Sequence, residues 1–417
     1  MNGLAQRKWH PRHWLLPLGL MGTSIMLVFV LNIFVPHKGH FLPSVDQYNA
    51  HLLASEGLVH LGLLLTWYSF WFLFIFGSLL IPYFILRSVQ FLRAGGHNLS
   101  DQDPMETAGW FGIPLSLGMY GNVSSFAAVI FFGLNNQADD IIWPFWLAYD
   151  LAVAALALTL FVWYLKARAR LKEASGSSAN QASMVVPFSL GFMALNIAGP
   201  GALGEHTALT ATSLVVSLVF VVLSAGVFLS YFRVFRGDFM ALLSSRASLN
   251  DRTSQEKIWA QVMNFGTAIT TFNVLMIAMV RNYLNYGHHF AEFDLATKNL
   301  ITWGAAGTVT MALLVLLALW RNGFFRHLFQ EQRPLIFSLG LVCMLVSSYV
   351  ITALFTTTAL KTGLLSSQSP LLYGIVGVEA LLLLVNLFVV AALVYRMIIR
   401  GNIQSWQADE ISHLLPR

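Results

Sequence analysis

Charge is scarce in this sequence. Only 10% of its 417 residues are Asp, Glu, Lys or Arg, while 57% are hydrophobic; a soluble domain carries about 25% charged residues. That shortfall excludes a soluble enzyme. Cysteine is nearly absent as well. Cys343 stands alone inside an apolar run, so neither a disulfide framework nor a cysteine metal site can be built. Motifs that carry chemistry are missing too: there is no Walker loop, dinucleotide-binding glycine pattern, HExxH or nucleophile elbow. Gly199-Pro200-Gly201 reads as a turn at the outer end of an apolar stretch, not as a phosphate cradle. The basic residues are spread over short connectors, which gives nucleic acid nothing to bind. No enzymatic activity is expected.

Long apolar stretches are abundant. A helix needs roughly 20 apolar residues to cross about 30 Å of hydrocarbon, and ten stretches qualify, near 14–35, 57–86, 110–133, 142–165, 185–204, 208–232, 258–280, 299–320, 335–360 and 370–395. The first follows Arg7, Lys8 and Arg12 but lacks a small-residue cleavage site, so it reads as a retained helix and not a signal peptide. With the N-terminus cytoplasmic, twenty of the 24 basic residues fall on the cytoplasmic side, leaving Lys38, Arg281, Lys298 and Lys361 outside. By the positive-inside rule both termini are cytoplasmic. The expected organisation is a cytoplasmic segment at 1–13, a ten-helix membrane domain at 14–398 and a cytoplasmic tail at 399–417, in the inner or plasma membrane with lipid as its solvent. Residues 233–257 read as a solvated connector, and 173–183 as a flexible linker.

The stretches repeat in pairs. Odd-numbered ones share a polar, bulky and glycine pattern near their cytoplasmic start: Ser116-Leu117-Gly118, Ser189-Leu190-Gly191, Ser338-Leu339-Gly340 and Asn264-Phe265-Gly266, with a looser Pro17-Leu18-Gly19 in the first. Even-numbered ones carry an acid near the outer end: Glu56, Asp150, Glu205, Asp294 and Glu379. There the free N–H groups and dipole of a helix N-terminus favour a carboxylate. One helical hairpin used five times in parallel suggests a quasi-fivefold ring about an axis along the membrane normal.

Composition says which helices face that axis. Residues 14–35, 110–133, 184–204, 258–280 and 334–360 contain no charged residue, yet they carry hydroxyls and amides, among them Asn122, Asn196, Thr270 and Ser347. These four are the expected polar lining of a pore walled by the five odd helices. The alternative is that small polar groups glue packed helices together. Pro17, Pro114 and Pro187, with Gly118, Gly191, Gly266 and Gly340, are the expected kinks of the pore helices.

The five-hairpin plan, with Trp110-Phe111-Gly112-Ile113-Pro114-Leu115-Ser116-Leu117-Gly118 and Leu335-Ile336-Phe337-Ser338-Leu339-Gly340-Leu341, resembles the TehA-like tellurite-resistance and dicarboxylate transporter family, related to the plant guard-cell slow anion channels. The resemblance implies ten helices, five inner and five outer, a pore through each protomer, and a homotrimer. It also implies a phenylalanine plug on the ninth helix, which falls on Leu339 here and is therefore a departure. The equivalent positions are Leu18, Leu117, Leu190 and Phe265, and the five together are expected to form a hydrophobic constriction that closes by dewetting.

Histidines offer a competing reading. A haem needs paired imidazoles at membrane depth, but only His60 enters a helix, so no cofactor is expected. His288-His289 beside Glu292 and Asp294 suits interfacial solvation better than a metal site. Asp150 and Glu379 are the acids deepest in their helices, either proton sites or structural groups. The function expected is a channel for a small inorganic or carboxylate anion. The alternatives are a proton-coupled carrier of dicarboxylate, sulfite or tellurite-type oxyanions, and a non-transporting membrane sensor or partner subunit.

Overall fold

The computed structural model describes residues 11–36, 43–93, 109–132, 138–174, 184–244, 252–290, 295–328, 333–361, 365–366 and 368–395. Among them every regular element is helical: α1 Leu15–Phe34, α2 Val45–Ala54, α3 Gly57–Phe91, α4 Gly112–Phe132, α5 Trp143–Ala174, α6 Val185–Leu203, α7 Thr207–Ser244, α8 Arg252–Phe290, α9 Leu295–Arg321, α10 Phe324–His327, α11 Arg333–Lys361 and α12 Pro370–Val394. In hydrocarbon a backbone must satisfy its own polar groups, and an isolated apolar segment does so only as a helix. Among the described residues nine helices are long and apolar enough to span a membrane: α1, α3, α4, α5, α6, α7, α9, α11 and α12.

Burial divides these nine into two classes. The most apolar windows of α1, α4, α6 and α11 are 83%, 72%, 94% and 72% buried, whereas those of α3, α5, α7, α9 and α12 are only 22–39% buried. Large apolar side chains such as Leu65, Phe72, Val222, Trp303, Trp320 and Leu384 stand exposed on the second class. Water does not tolerate apolar patches of this extent, and lipid does. The chain is a multi-pass membrane protein.

Helix packing follows a regular order. α1 packs on α4, α4 on α6, α6 on α8, α8 on α11, and α11 on α1 again. Each helix of the exposed class touches two successive members of that series: α3 touches α1 and α4, α5 touches α4 and α6, α7 touches α6 and α8, α9 touches α8 and α11, and α12 touches α11 and α1.

Several connectors and breakers differ from the expectation. Residues 36–56 include α2, which starts with a capping box: the Gln47 N–H donates to Ser44 Oγ at 3.3 Å and the Ser44 N–H to Gln47 Oε1 at 2.9 Å. The connector expected at 233–257 is largely helix, since α7 runs to Ser244 and α8 begins at Arg252. Pro17, Pro114 and Pro187 are each the third residue of their helix. A missing N–H in the first turn breaks no intrahelical bond, so these prolines start helices and need not kink them. Gly199-Pro200-Gly201 is not a turn but part of α6, with Pro200 inside the helix.

Candidate functional site

The central cavity lies where α1, α4, α6, α8 and α11 face one another, with an internal volume of about 60 Å³. That is room for a small ion with a few waters. Its wall repeats at helical spacing: Leu18, Gly22, Ile25 and Phe29 on α1, Met119, Asn122 and Phe126 on α4, Phe188, Phe192 and Leu195 on α6, Thr270, Val274, Ile277 and Arg281 on α8, and Cys343, Val346 and Val350 with Ser347 on α11. Steps of three and four keep a single face of each helix on the cavity. From Leu18 to Phe29, or from Thr270 to Arg281, the lining rises roughly 16 Å along a helix.

The expected polar lining divides. Asn122, Thr270 and Ser347 reach the cavity, while Asn196 does not. Asn196 is fully buried and accepts from Asn122 Nδ2 at 3.2 Å, tying α4 to α6. Thr270 donates to Gly266 O of its own helix at 2.9 Å, and Ser347 accepts from Asn273 Nδ2 at 3.0 Å. These groups therefore act as interhelical and intrahelical glue even where they border the cavity.

Leu18 lines the cavity, but Leu117, Leu190 and Phe265 do not; the Leu339 side chain lies outside the described residues. The cause is the neighbouring glycine. A Cβ on Gly118 would meet Met193 Cε of α6 at 2.8 Å, and one on Gly191 would meet Ser224 Oγ of α7 at 3.0 Å. These motif glycines serve close helix contact, and Gly266 faces Met344 of α11. The bulky residue one step earlier, about 100° around the helix, then points away from the cavity. Aromatic wall comes instead from Phe29, Phe126, Phe188 and Phe192, which the polar-bulky-glycine register does not select.

Arg281, one of the four cations expected on the outer side and one position beyond a charge-free stretch, is also a cavity residue, because α8 continues to Phe290 and carries it into the lining. Extending the stripe Thr270, Val274, Ile277 by one more step of four would have found it. Its Nη1 donates to Leu195 O at 3.0 Å. Pro200 interrupts α6 nearby, and Ser217 Oγ donates to Ala194 O at 2.8 Å while Ser213 Oγ donates to Ile197 O. Neighbouring helices thus supply donors to the carbonyls of the turn before the proline. The guanidinium rests against Gly199, where a Cβ would lie 3.0 Å from Nη1 and 2.9 Å from Trp146 Cη2.

The deep acids are not equivalent. Glu379 accepts from Thr356 Oγ1 of α11 at 2.7 Å, so a neighbouring helix satisfies it, not a helix N-terminus. Asp150 is fully buried and neither oxygen accepts a hydrogen bond of ordinary geometry; the Trp146 indole is close but falls short of it. Arg281 is near enough for its charge to act on Asp150, although no carboxylate reaches ion-pair distance of Arg281 among the described residues. Glu56 and Glu205 are exposed at helix starts, and Asp294 lies outside the described residues. His60 Nδ1 donates to Leu52 O at 3.0 Å, fastening α3 to α2. The side chains of His288, His289 and Glu292 lie outside the described residues.

Comparison with protein-family models, with curated proteins and with solved structures finds no match. The resemblance to the TehA-like family therefore rests on the short motifs quoted above.

Proposed function

We propose that the chain crosses the membrane ten times, as five helical hairpins in a quasi-fivefold ring, and that a small anion passes through the cavity inside the ring. The observation that carries this reading is a cavity bordered by one stripe from each of five helices whose contacts close on themselves, with one cationic side chain in its wall. α8 would be the tenth crossing, since it packs between α6 and α11 as α4 packs between α1 and α6. A single guanidinium in an otherwise neutral wall favours anions over cations. The resemblance adds a homotrimer with a pore in each copy. A proton-coupled carrier is the second reading, favoured by buried Asp150 near Arg281.

Purified protein in a planar bilayer across a KCl gradient tests the proposal. Anion passage sets the reversal potential near that of chloride; a potential near that of potassium, or no flux of any anion in proteoliposomes, would overturn it. Unitary currents identify a channel, and saturable proton-dependent flux identifies a carrier.

A further inference from the structure

We propose that Arg281 is the anion-binding residue of the central cavity, that it holds one small singly charged anion at a time, and that Asp150 takes up one proton when the anion arrives. This rests on the cavity being an anion pathway, and adds which residue binds, what charge it accepts and what accompanies it.

A guanidinium offers five N–H donors. Arg281 has one hydrogen bond, to Leu195 O, and no carboxylate within ion-pair distance among the described residues. Its side chain borders the cavity, and only one of its five donors is engaged. The seat is built from both sides: Gly199 leaves room for the guanidinium, and Trp146 closes against the same glycine. Trp146 lies one turn before Asp150 on the same face of α5. Asp150 Oδ1 in turn lies 3.6 Å from where a Cβ on Gly121 would sit. The acid is therefore wedged between helices, beside the site but not bonded to its cation.

Charge balance decides the rest. A low-dielectric interior disfavours any net charge that lacks a partner. Two states of this site are neutral: ionised Asp150 with Arg281 and no ligand, and protonated Asp150 with Arg281 and one monovalent anion. An anion arriving without a proton leaves a net negative charge. A dianion leaves one even with the proton, because no second cation lines the cavity among the described residues.

Other titratable groups near Asp150 do not alter this balance. Tyr149, on the same helix, donates its hydroxyl to Leu117 O at 2.9 Å. Tyr120 is the one titratable residue of α4, and α6 has none. α7 has none before Tyr231 near its cytoplasmic end. Asp140, in the π-helical turn before α5, pairs with His206 at 3.2 Å on the exposed rim. Glu379 is bonded to Thr356 and does not line the cavity.

Isothermal titration calorimetry on the full-length protein in detergent tests the site without requiring flux. Nitrate and thiocyanate are the monovalent probes and sulfate and malate the divalent ones. Buffers of different ionisation heat count the protons taken up. We expect nitrate to bind with about one proton and more tightly than sulfate or malate. Arg281→Gln should weaken nitrate at least about tenfold. Arg281→Lys, which keeps the charge, should retain weakened binding with its proton, as a merely structural role for Arg281 would not require. Asp150→Asn should bind nitrate at least as tightly as the parent, with no proton uptake.

Unchanged binding in Arg281→Gln, unchanged proton uptake in Asp150→Asn, or a preference for sulfate each overturns the proposal. Parallel nitrate flux in proteoliposomes separates the two readings. Binding of the expected kind without flux overturns the pathway and leaves the site; flux that Arg281→Gln does not change overturns the site and leaves the pathway.

Discussion

His13 shows how a single side chain can carry a pH dependence unrelated to transport. It lies fully buried in the 3-10 turn Pro11–Trp14, before the first membrane span. That turn is held to the bundle by Trp14, whose indole donates to Ser88 Oγ at 2.9 Å and whose carbonyl accepts from Ser116 Oγ. Desolvation lowers the His13 imidazole to about 4, from about 6.5 in an unfolded chain. Since the folded state favours neutral His13, its stabilising contribution is complete above about pH 6.5 and is lost as pH falls toward about 4. It amounts to about 3 kcal/mol. The melting temperature of the parent should fall across that window, and His13→Gln should flatten the fall; equal slopes in parent and variant would refute this account.

At the scale of helices, buried amides do much of the joining. Asn273 of α8 donates to Ser347 Oγ of α11 at 3.0 Å and accepts from Thr308 Oγ1 of α9 at 2.8 Å. Asn386 of α12 donates to Thr23 Oγ1 of α1 at 2.9 Å, and Asn282 of α8 to Ser217 Oγ of α7 at 2.8 Å. Interhelical hydrogen bonds in membranes contribute about 0.6 kcal/mol on average and up to about 1.7. Asn273 joins three helices and is fully buried, so Asn273→Ala should cost about 1–3 kcal/mol once stranded partners are included. Thermal unfolding in detergent measures that loss. Anion binding should stay within about threefold of the parent, because Asn273 does not line the cavity. Wild-type stability in the variant would mean that these bonds are replaced at no cost.

For the whole molecule, the arrangement rests on which surfaces meet lipid. Trp303, Trp320, Leu371 and Val222 are exposed, while the most apolar windows of α1, α4, α6 and α11, which wall the cavity, are 72–94% buried. In a Cys343→Ser background, single cysteines at Leu53 in α2 and at Arg321 at the end of α9 should label from opposite faces. Leu53 should react with a membrane-impermeant maleimide added outside, and Arg321 only after permeabilisation. Labelling of both positions from outside would overturn the proposed ten-crossing topology.

Much of this was legible in the chain because membrane-spanning helices depend on local composition. Apolar length located α1, α3 to α9, α11 and α12 to within a few residues at most ends, since any such run buries its backbone polar groups only by closing its own hydrogen bonds. The split between buried and exposed helices follows charge: 14–35, 110–133, 184–204 and 334–360 contain no charged residue, while α3, α5, α7, α9 and α12 each carry at least one. The short α2 was not legible, as it lacks the apolar length that marked the others. Nor was the polar-bulky-glycine motif a guide to the cavity: its glycines serve contacts with neighbouring helices, which turns Leu117 and Leu190 away from the cavity. Arg281 and Asp150 are 131 positions apart in the chain; the first reads as an outer-side cation and the second as a deep acid with no cation assigned to it. The sequence by itself determined an all-helical protein dissolved in lipid with a nearly charge-free interior. Only the tertiary structure decided that Arg281 lines the cavity while Asp150 and Glu379 are buried outside its lining, because helix packing, which depends on contacts distant in the chain, sets which face of α8 turns inward.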